Sequence, residues 1–225
     1  MVVNFPHNPT GALLTPETFS DLIDLLDRRG IPLFSDEMYR HLELGADRTL
    51  PAACEVYDRA VSLSGLSKAY GLPGLRIGWL ASRDRDLLTQ IACLKDYTTI
   101  CASAPSEILA LMALTRREAI LSSQRERLRT NLAILETFMA DHAETFDWRQ
   151  PAGGSVCFPA FRRSEGASAF CERLVQTAGI MLLPSAPFQF GDRHVRIGFG
   201  RADLPEVLQR LADFLAHPDQ TAPEP

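Results

Sequence analysis

In the stretch SLSGLSKAYGLPGLRIGW a lysine, Lys68, stands among small residues directly after an apolar run, with Ser67 before it and Arg76 eight positions on. Burial of an ammonium group lowers its pKa, which is what an amine needs if it is to act as a nucleophile and form a Schiff base. A lysine taken alone is most often a solvated surface residue, so its surroundings decide. Upstream, LFSDEMY sets Asp36 at the end of a short apolar run and Tyr39 three residues later. A carboxylate at the C-terminal end of a parallel strand lies where open α/β sheets bind ligands. The opening MVVNFPHNPTG packs Asn4, Pro6, His7, Asn8, Pro9, Thr10 and Gly11 into one dense turn, and HVRIGFG near the other end carries Arg196.

Other chemistries lack their partners. Asp36-Glu37 after an apolar run has the shape of a Walker B acid, but the chain contains no G-x-x-x-x-G-K-[ST] loop. S-x-x-K ending at Lys68 fails because position 65 is glycine. Glu37 and His41 are four apart without an HExxH pattern, so a metal site has no support. A lysine, a carboxylate, a tyrosine, an asparagine turn and two arginines are together the inventory for pyridoxal 5'-phosphate. Its aldehyde condenses with an amine, its ring nitrogen needs a carboxylate beside it, its phenolic oxygen takes donors, and its phosphate takes an arginine fork and hydroxyls.

The ordered set NFPHNPTG, SDEMY, SLSGLSKAYGLPGLRIGW and HVRIGFGR resembles the class I/II aminotransferases of fold type I, the aspartate aminotransferase superfamily, over nearly the whole chain. The resemblance implies a PLP-transferase-like α/β fold and an amino acid / 2-oxo acid pair as substrates. It implies that Asn8 donates to the cofactor's phenolic oxygen and helps orient the substrate carboxylate, that Asp36 pairs with the pyridinium nitrogen, and that Tyr39 also donates to the phenolic oxygen. Lys68 would hold the cofactor as a Schiff base and shuttle the proton, Ser67 and Arg76 would hold the phosphate, and Arg196 would clamp the substrate α-carboxylate. Many relatives carry a phosphate-binding serine where this chain has Gly65. KDYTTICASAPSE, residues 95–107, is similar to a branch that includes general aminotransferases and the amino-acid-cyclising capreomycidine synthase.

The elements that must position these residues alternate between strand and helix. MVVNF, IPLFSDE, RAVSLSG and LRIGWLAS read as strands of a mainly parallel, buried sheet. Thr15-Pro16-Glu17 opens a helix with an apolar stripe of Phe19, Leu22, Ile23, Leu25 and Leu26, and Gly30 ends it. Residues 105–142 are helical in pattern, with a polar break around 115–118 and with Leu109, Met112, Ala113, Leu128, Leu132, Leu135 and Met139 at helical spacing. Beyond Trp148 the pattern is α+β: SVCFPAF, MLLP and HVRIGFG as strands, 167–178 and 204–215 as helices. The expected organisation is a partial cofactor-binding large domain with long connecting helices over 1–142, a small domain over 143–216, and a proline-rich tail over 217–225.

A 225-residue chain with 46% apolar and 23% charged residues builds an ordinary core, and a net charge of -5 argues against a nucleic-acid surface. Five cysteines at irregular spacing, without a C-x-x-C pair, read as buried free thiols. No apolar run spans a bilayer and no basic-plus-apolar leader opens the chain, so the reading is cytoplasmic, with no membrane partner. In the family NPTG follows a long N-terminal segment, whereas here it follows Met1 almost at once. The chain is therefore expected to be the C-terminal part of such an enzyme, homodimeric in its full-length form. The alternatives are a cyclase or lyase of the same fold and a non-catalytic remnant.

Overall fold

The computed structural model describes residues 1–45 and 49–217. The tail expected over 217–225 lies, beyond His217, outside the described residues. The chain divides into two compact units. One comprises Met1–Asn8, Ala12–Arg125 and Ala152–Gly154; the other comprises Pro9–Gly11, Glu126–Pro151 and the residues from Ser155 onward.

The first unit is built on a four-stranded sheet of β1 (Val2–Asn4), β2 (Leu33–Asp36), β3 (Ala60–Gly65) and β4 (Gly78–Ser82), in that spatial order. β1, β2 and β3 run parallel, and β4 pairs antiparallel with β3. LRIGWLAS thus folds as a strand, running opposite to its neighbours. Glycines explain its close approach: Gly65 stands opposite Gly78, and a Cβ on Gly65 would lie 2.9 Å from the Ile77 carbonyl oxygen and 3.0 Å from Gly78 Cα.

Helix α1 (Pro16–Arg29) begins where local chemistry dictates. Thr15 accepts a hydrogen bond from Thr18 N, Pro16 takes the first turn, and Gly30 closes the helix at φ 61°. Its Phe19 and Leu26 pack with Leu33, Ala60, Ala53 and Tyr57, and Val3, Leu22 and Ile23 line the same cluster. Leu25, expected on the stripe, is exposed because it stands at i+6, off the i, i+3, i+4, i+7 series of Phe19, Leu22, Ile23 and Leu26. A short helix, α2 (Ala53–Val56), precedes β3. Helices α3 (Arg85–Thr98) and α4 (Ala104–Thr115) follow β4, and α5 (Arg117–Asp141) begins immediately after the break at Arg116.

The second unit holds two small sheets. β5 (Phe146–Asp147) pairs with β7 (Ala160–Phe161), and β9 (Val195–Gly198) lies between β6 (Val156–Cys157) and β8 (Leu183–Pro184). SVCFPAF is two strands rather than one: the chain leaves the first pairing at Phe158-Pro159, where Pro159 has no N–H to donate and its carbonyl accepts from Val195 N at 3.1 Å. Helices α6 (Ala167–Ala178) and α7 (Leu204–Ala216) bury Phe170, Leu174 and Leu211, and Leu135, Met139, Phe146, Val195 and Phe199 of the same unit are buried as well. Phe161 and Phe170 meet at a tilt of 35° with centroids 4.5 Å apart, and Phe170 meets Phe214 at 6.0 Å.

Candidate active site

Asn4 and Asp36 are register partners at the C-terminal ends of β1 and β2, and Gly65 ends β3 alongside them. Three parallel strands therefore deliver their next residues to one edge of the sheet: the turn from Phe5 to Ala12, the segment Glu37–Leu42, and the loop from Leu66 to Ile77. Ends of this kind are where a doubly wound sheet offers room and unpaired backbone to a ligand.

The turn that contains Asn8 is closed by His7 N donating to the Ala12 carbonyl at 2.9 Å. Burial holds the His7 imidazole below its ordinary pKa. Asn8 N donates to Asn4 Oδ1 at 2.9 Å, while Asn4 Nδ2 donates to the Asp36 carbonyl at 3.1 Å. The Asp36 carboxylate, half-buried, accepts from Met38 N through Oδ1 at 3.1 Å. Tyr39 is buried, and Lys68 Nζ stands 5.6 Å from the centroid of its ring.

Lys68 lies in a loop pinned at its base rather than at its tip. Leu66 is fully buried, its N–H reaches the Ile77 carbonyl at 3.1 Å and its carbonyl takes Leu72 N at 2.9 Å, while Gly71 N bonds the Lys68 carbonyl at 3.0 Å. The Lys68 side chain itself is exposed, so the desolvated lysine expected from the sequence is not produced by the protein's own side chains. Ser67 is half-buried beside it. Arg76 caps the 3-10 turn Pro73–Leu75 with φ 55°, and its guanidinium donates to the Pro73 carbonyl at 3.0 Å.

The structure thus gathers Asn8, Asp36, Tyr39, Ser67, Lys68 and Arg76 in the first unit, with direct contacts joining Tyr39 to Lys68 and, through Asn4, Asn8 to Asp36. Arg196 belongs to the second unit. It occupies the central strand β9 opposite Leu183, with its guanidinium 5.7 Å from the centroid of the Phe188 ring. Phe158 stacks on His194 at 5.0 Å in the same region, and burial lowers the His194 pKa.

Two residues of this architecture received no role from the sequence. Asn4 is one; it reads as an ordinary turn residue until its amide is seen bonded at both ends. Glu37 is the other. Almost fully buried, it accepts from Ala53 N at 2.8 Å and from Ser62 Oγ at 2.7 Å, and its own N–H donates to the Leu63 carbonyl at 2.8 Å. It ties the segment carrying Asp36 and Tyr39 to β3 and α2, a buried carboxylate made tolerable by two donors. Among the described residues no group of three or more His, Cys, Asp or Glu side chains is arranged to hold a metal ion. No helix among them is long and apolar enough to cross a membrane.

Residues 1–215 match the family described as Aminotransferase class I and II, and the chain belongs to it. It is 34% identical over 212 residues to capreomycidine synthase of Streptomyces vinaceus, covering 94% of this chain and 54% of that protein. It is 31% identical to a probable N-acetyl-LL-diaminopimelate aminotransferase of Bacillus subtilis, covering 96% of this chain and 55% of that one. Its fold matches the crystal structure of a PLP-dependent aminotransferase from Streptococcus suis with a TM-score of 0.87 at 32% identity, over 98% of this chain and 58% of that one. The α/β fold with its mainly parallel sheet is the fold type I architecture of that neighbour. The chain spans about half the length of the curated relatives it matches.

Proposed function

We propose that this chain carries the lysine half of a pyridoxal-phosphate-dependent aminotransferase site, acting on an amino acid and a 2-oxo acid. The observation that supports it best is the convergence of Asn8, Asp36, Tyr39 and Lys68 on the C-terminal ends of three adjacent parallel strands. The residues fit the cofactor in a second respect. Asp36 Oδ2 and Lys68 Nζ have no hydrogen-bond partner among the described residues, so a carboxylate oxygen and an amine are both available at that edge.

In this reading Lys68 Nζ would hold the cofactor covalently, and its amine would move the proton at the substrate α-carbon. Asp36 would set its negative charge against the ring nitrogen and so favour its protonated form. Asn8 and Tyr39 donate to the phenolic oxygen. Ser67 and Arg76 take the phosphate, and Gly65 adds no hydroxyl because a Cβ there has no space beside the Ile77 carbonyl. Arg196 presents two parallel N–H donors to the substrate α-carboxylate, a match that lysine cannot make. The bound cofactor supplies an electron sink conjugated to the substrate α-carbon. The likeness to capreomycidine synthase supports a second reading, in which the same residues serve a cyclisation. A homodimeric assembly and a cytoplasmic setting belong to the proposal, supported by exposed apolar residues on α3 and α4 and by five free cysteines.

The chain has two lysines, which makes the test sharp. Borohydride reduction of the cofactor-treated protein followed by peptide mass spectrometry should place the pyridoxyl group on Lys68, and Lys68→Ala should abolish it. Labelling at Lys95, whose amine donates to the Ile100 carbonyl at 3.1 Å, would overturn the assignment. Release of a 2-oxo acid from the amino donor separates transamination from cyclisation.

A further inference from the structure

We propose that Asn4 is a positioning residue that sets the spacing between Asn8 and Asp36, and through it the two contacts these residues make with the cofactor; the inference rests on the reading above. The Asn4 amide is used at both ends. Its Oδ1 accepts from Asn8 N at 2.9 Å and its Nδ2 donates to the Asp36 carbonyl at 3.1 Å. The same Asp36 carbonyl accepts from Phe5 N at 3.2 Å, the next backbone donor of that chain segment. Asn4 and Asp36 are already register partners across β1 and β2, so the side chain extends the sheet's hydrogen bonding one step past the strand end and captures the turn.

The residue type is specific to the task. One group must donate in one direction and accept in the other, which an amide does and a carboxylate does not. A serine hydroxyl, attached directly to Cβ, is too short to bridge from a strand to a turn four residues on while also reaching the neighbouring strand. The geometry matters because Asn8 sits on a turn and Asp36 on a strand, and a displacement of about 1 Å between two groups that hold one ligand costs on the order of a hundredfold in what they achieve together.

The experiment uses the full chain, Met1–Pro225, first without cofactor. Amide hydrogen exchange at Asn8 reads one end of the brace, and exchange at Met38, whose N–H is held by Asp36 Oδ1, reads the other. Asn4→Ala should speed exchange at Asn8 by about tenfold or more. Leu26→Ala removes core packing without touching the brace and should speed exchange evenly across the sheet instead. Asn4→Asp keeps the acceptor and turns a second oxygen toward the Asp36 carbonyl, so Asn8 should stay protected while Met38 exchanges faster; this variant decides the matter if Asn4→Ala does not fold.

Titration with pyridoxal 5'-phosphate then reads the consequence. Asn4→Ala and Asn4→Asp should bind about tenfold to a hundredfold more weakly and shift the pH dependence of the bound cofactor's absorbance, whereas Leu26→Ala should bind within about twofold of the parent. Unchanged exchange at both positions overturns the proposal, and so does altered exchange with affinity and pH profile intact. A parent chain that binds no cofactor overturns the functional reading instead, and the exchange at Asn8 and Met38 still judges whether Asn4 braces the turn against the strand.

Discussion

Helices α6 and α7 bury Phe170, Cys171, Leu174, Leu208, Leu211 and Phe214, while α3 buries none of its residues and α4 only Ala110 and Ala113. Leu94, Tyr97, Ile108, Leu111 and Met112 are exposed, Tyr97 at 93%. The two helix pairs have similar apolar content and opposite fates. On α6 and α7 the apolar residues recur on one stripe, so a single facing layer satisfies them. On α4 the run EILALMAL is apolar nearly all round. A helix of that kind is one to be covered on several sides, and among the described residues only its alanine side is covered. Apolar content alone therefore does not say where a helix lies; the angular distribution of the apolar residues and the neighbours available do. The same contrast separates residues that the sequence shows alike at helical spacing: Leu109 and Met112 are exposed, whereas Leu128, Leu132, Leu135 and Met139 are buried.

The sharpest way to break this comparison is to hollow the second unit. Phe170→Ala removes a fully buried ring that contacts Phe146, Phe161 and Phe214, and should cost about 3–5 kcal/mol in urea or thermal unfolding. A loss below about 1 kcal/mol would mean that this core is not closed. The cysteines report on the same difference without mutation. Burial pushes the Cys157 thiol up from 9.0 to about 12, which leaves roughly a thousandth of the thiolate at neutral pH. Cys171 is held at about 11 by burial and by Asp192. Cys93 on α3 and Cys101 beyond it are exposed. Thiol alkylation in the native state should therefore mark Cys93 and Cys101 and leave Cys157 and Cys171 unmodified until the protein unfolds. The sequence reading, which put all five thiols in the core, is corrected here for Cys93 and Cys101.

Acid should weaken the fold through its histidines. Burial holds His194 below its ordinary 6.5, so the unfolded chain takes up a proton that the folded one refuses. Stability is then full above about pH 6.5 and falls as the pH drops toward the depressed folded value. His7 and His41 act in the same direction, both chiefly through burial. His194→Phe also removes a buried Nδ1 that has no hydrogen-bond partner among the described residues. Melting temperatures at pH 7.5 and 5.5 should differ less in this variant than in the parent; an equal or greater difference would exclude His194 from the effect. The smallest change is expected on the uncovered face: Leu111→Gln on α4 should alter unfolding free energy by no more than about 0.5 kcal/mol.

Much of the architecture was legible because its causes are local. Thr15, Pro16 and Gly30 bound α1, the helix over 167–178 has the limits its apolar period indicates, and Arg116 interrupts α4 and α5 where polar residues cluster. Helix α3 was not recognised, although Leu87, Leu88, Ile91 and Leu94 recur on it at helical spacing. The strand β4 was recognised but its direction was not, because direction lies in the pairing of β4 with β3, from Gly65–Gly78 to Val61–Ser82, which no local pattern records.

For the site, residue chemistry read along the chain was enough to nominate Lys68, Asp36, Tyr39, Asn8, Ser67, Arg76 and Arg196, because amines, carboxylates and guanidinium groups carry their reactivity wherever they stand. Their mutual placement was not in the sequence. That Asn4 bonds Asn8 and Asp36 at once, that Glu37 joins three elements, and that Gly65 has no room for a side chain are facts of the sheet. They depend on parallel strands lying side by side in one register, and register is decided by which faces are buried across the whole sheet rather than by any residue and its neighbours in the chain.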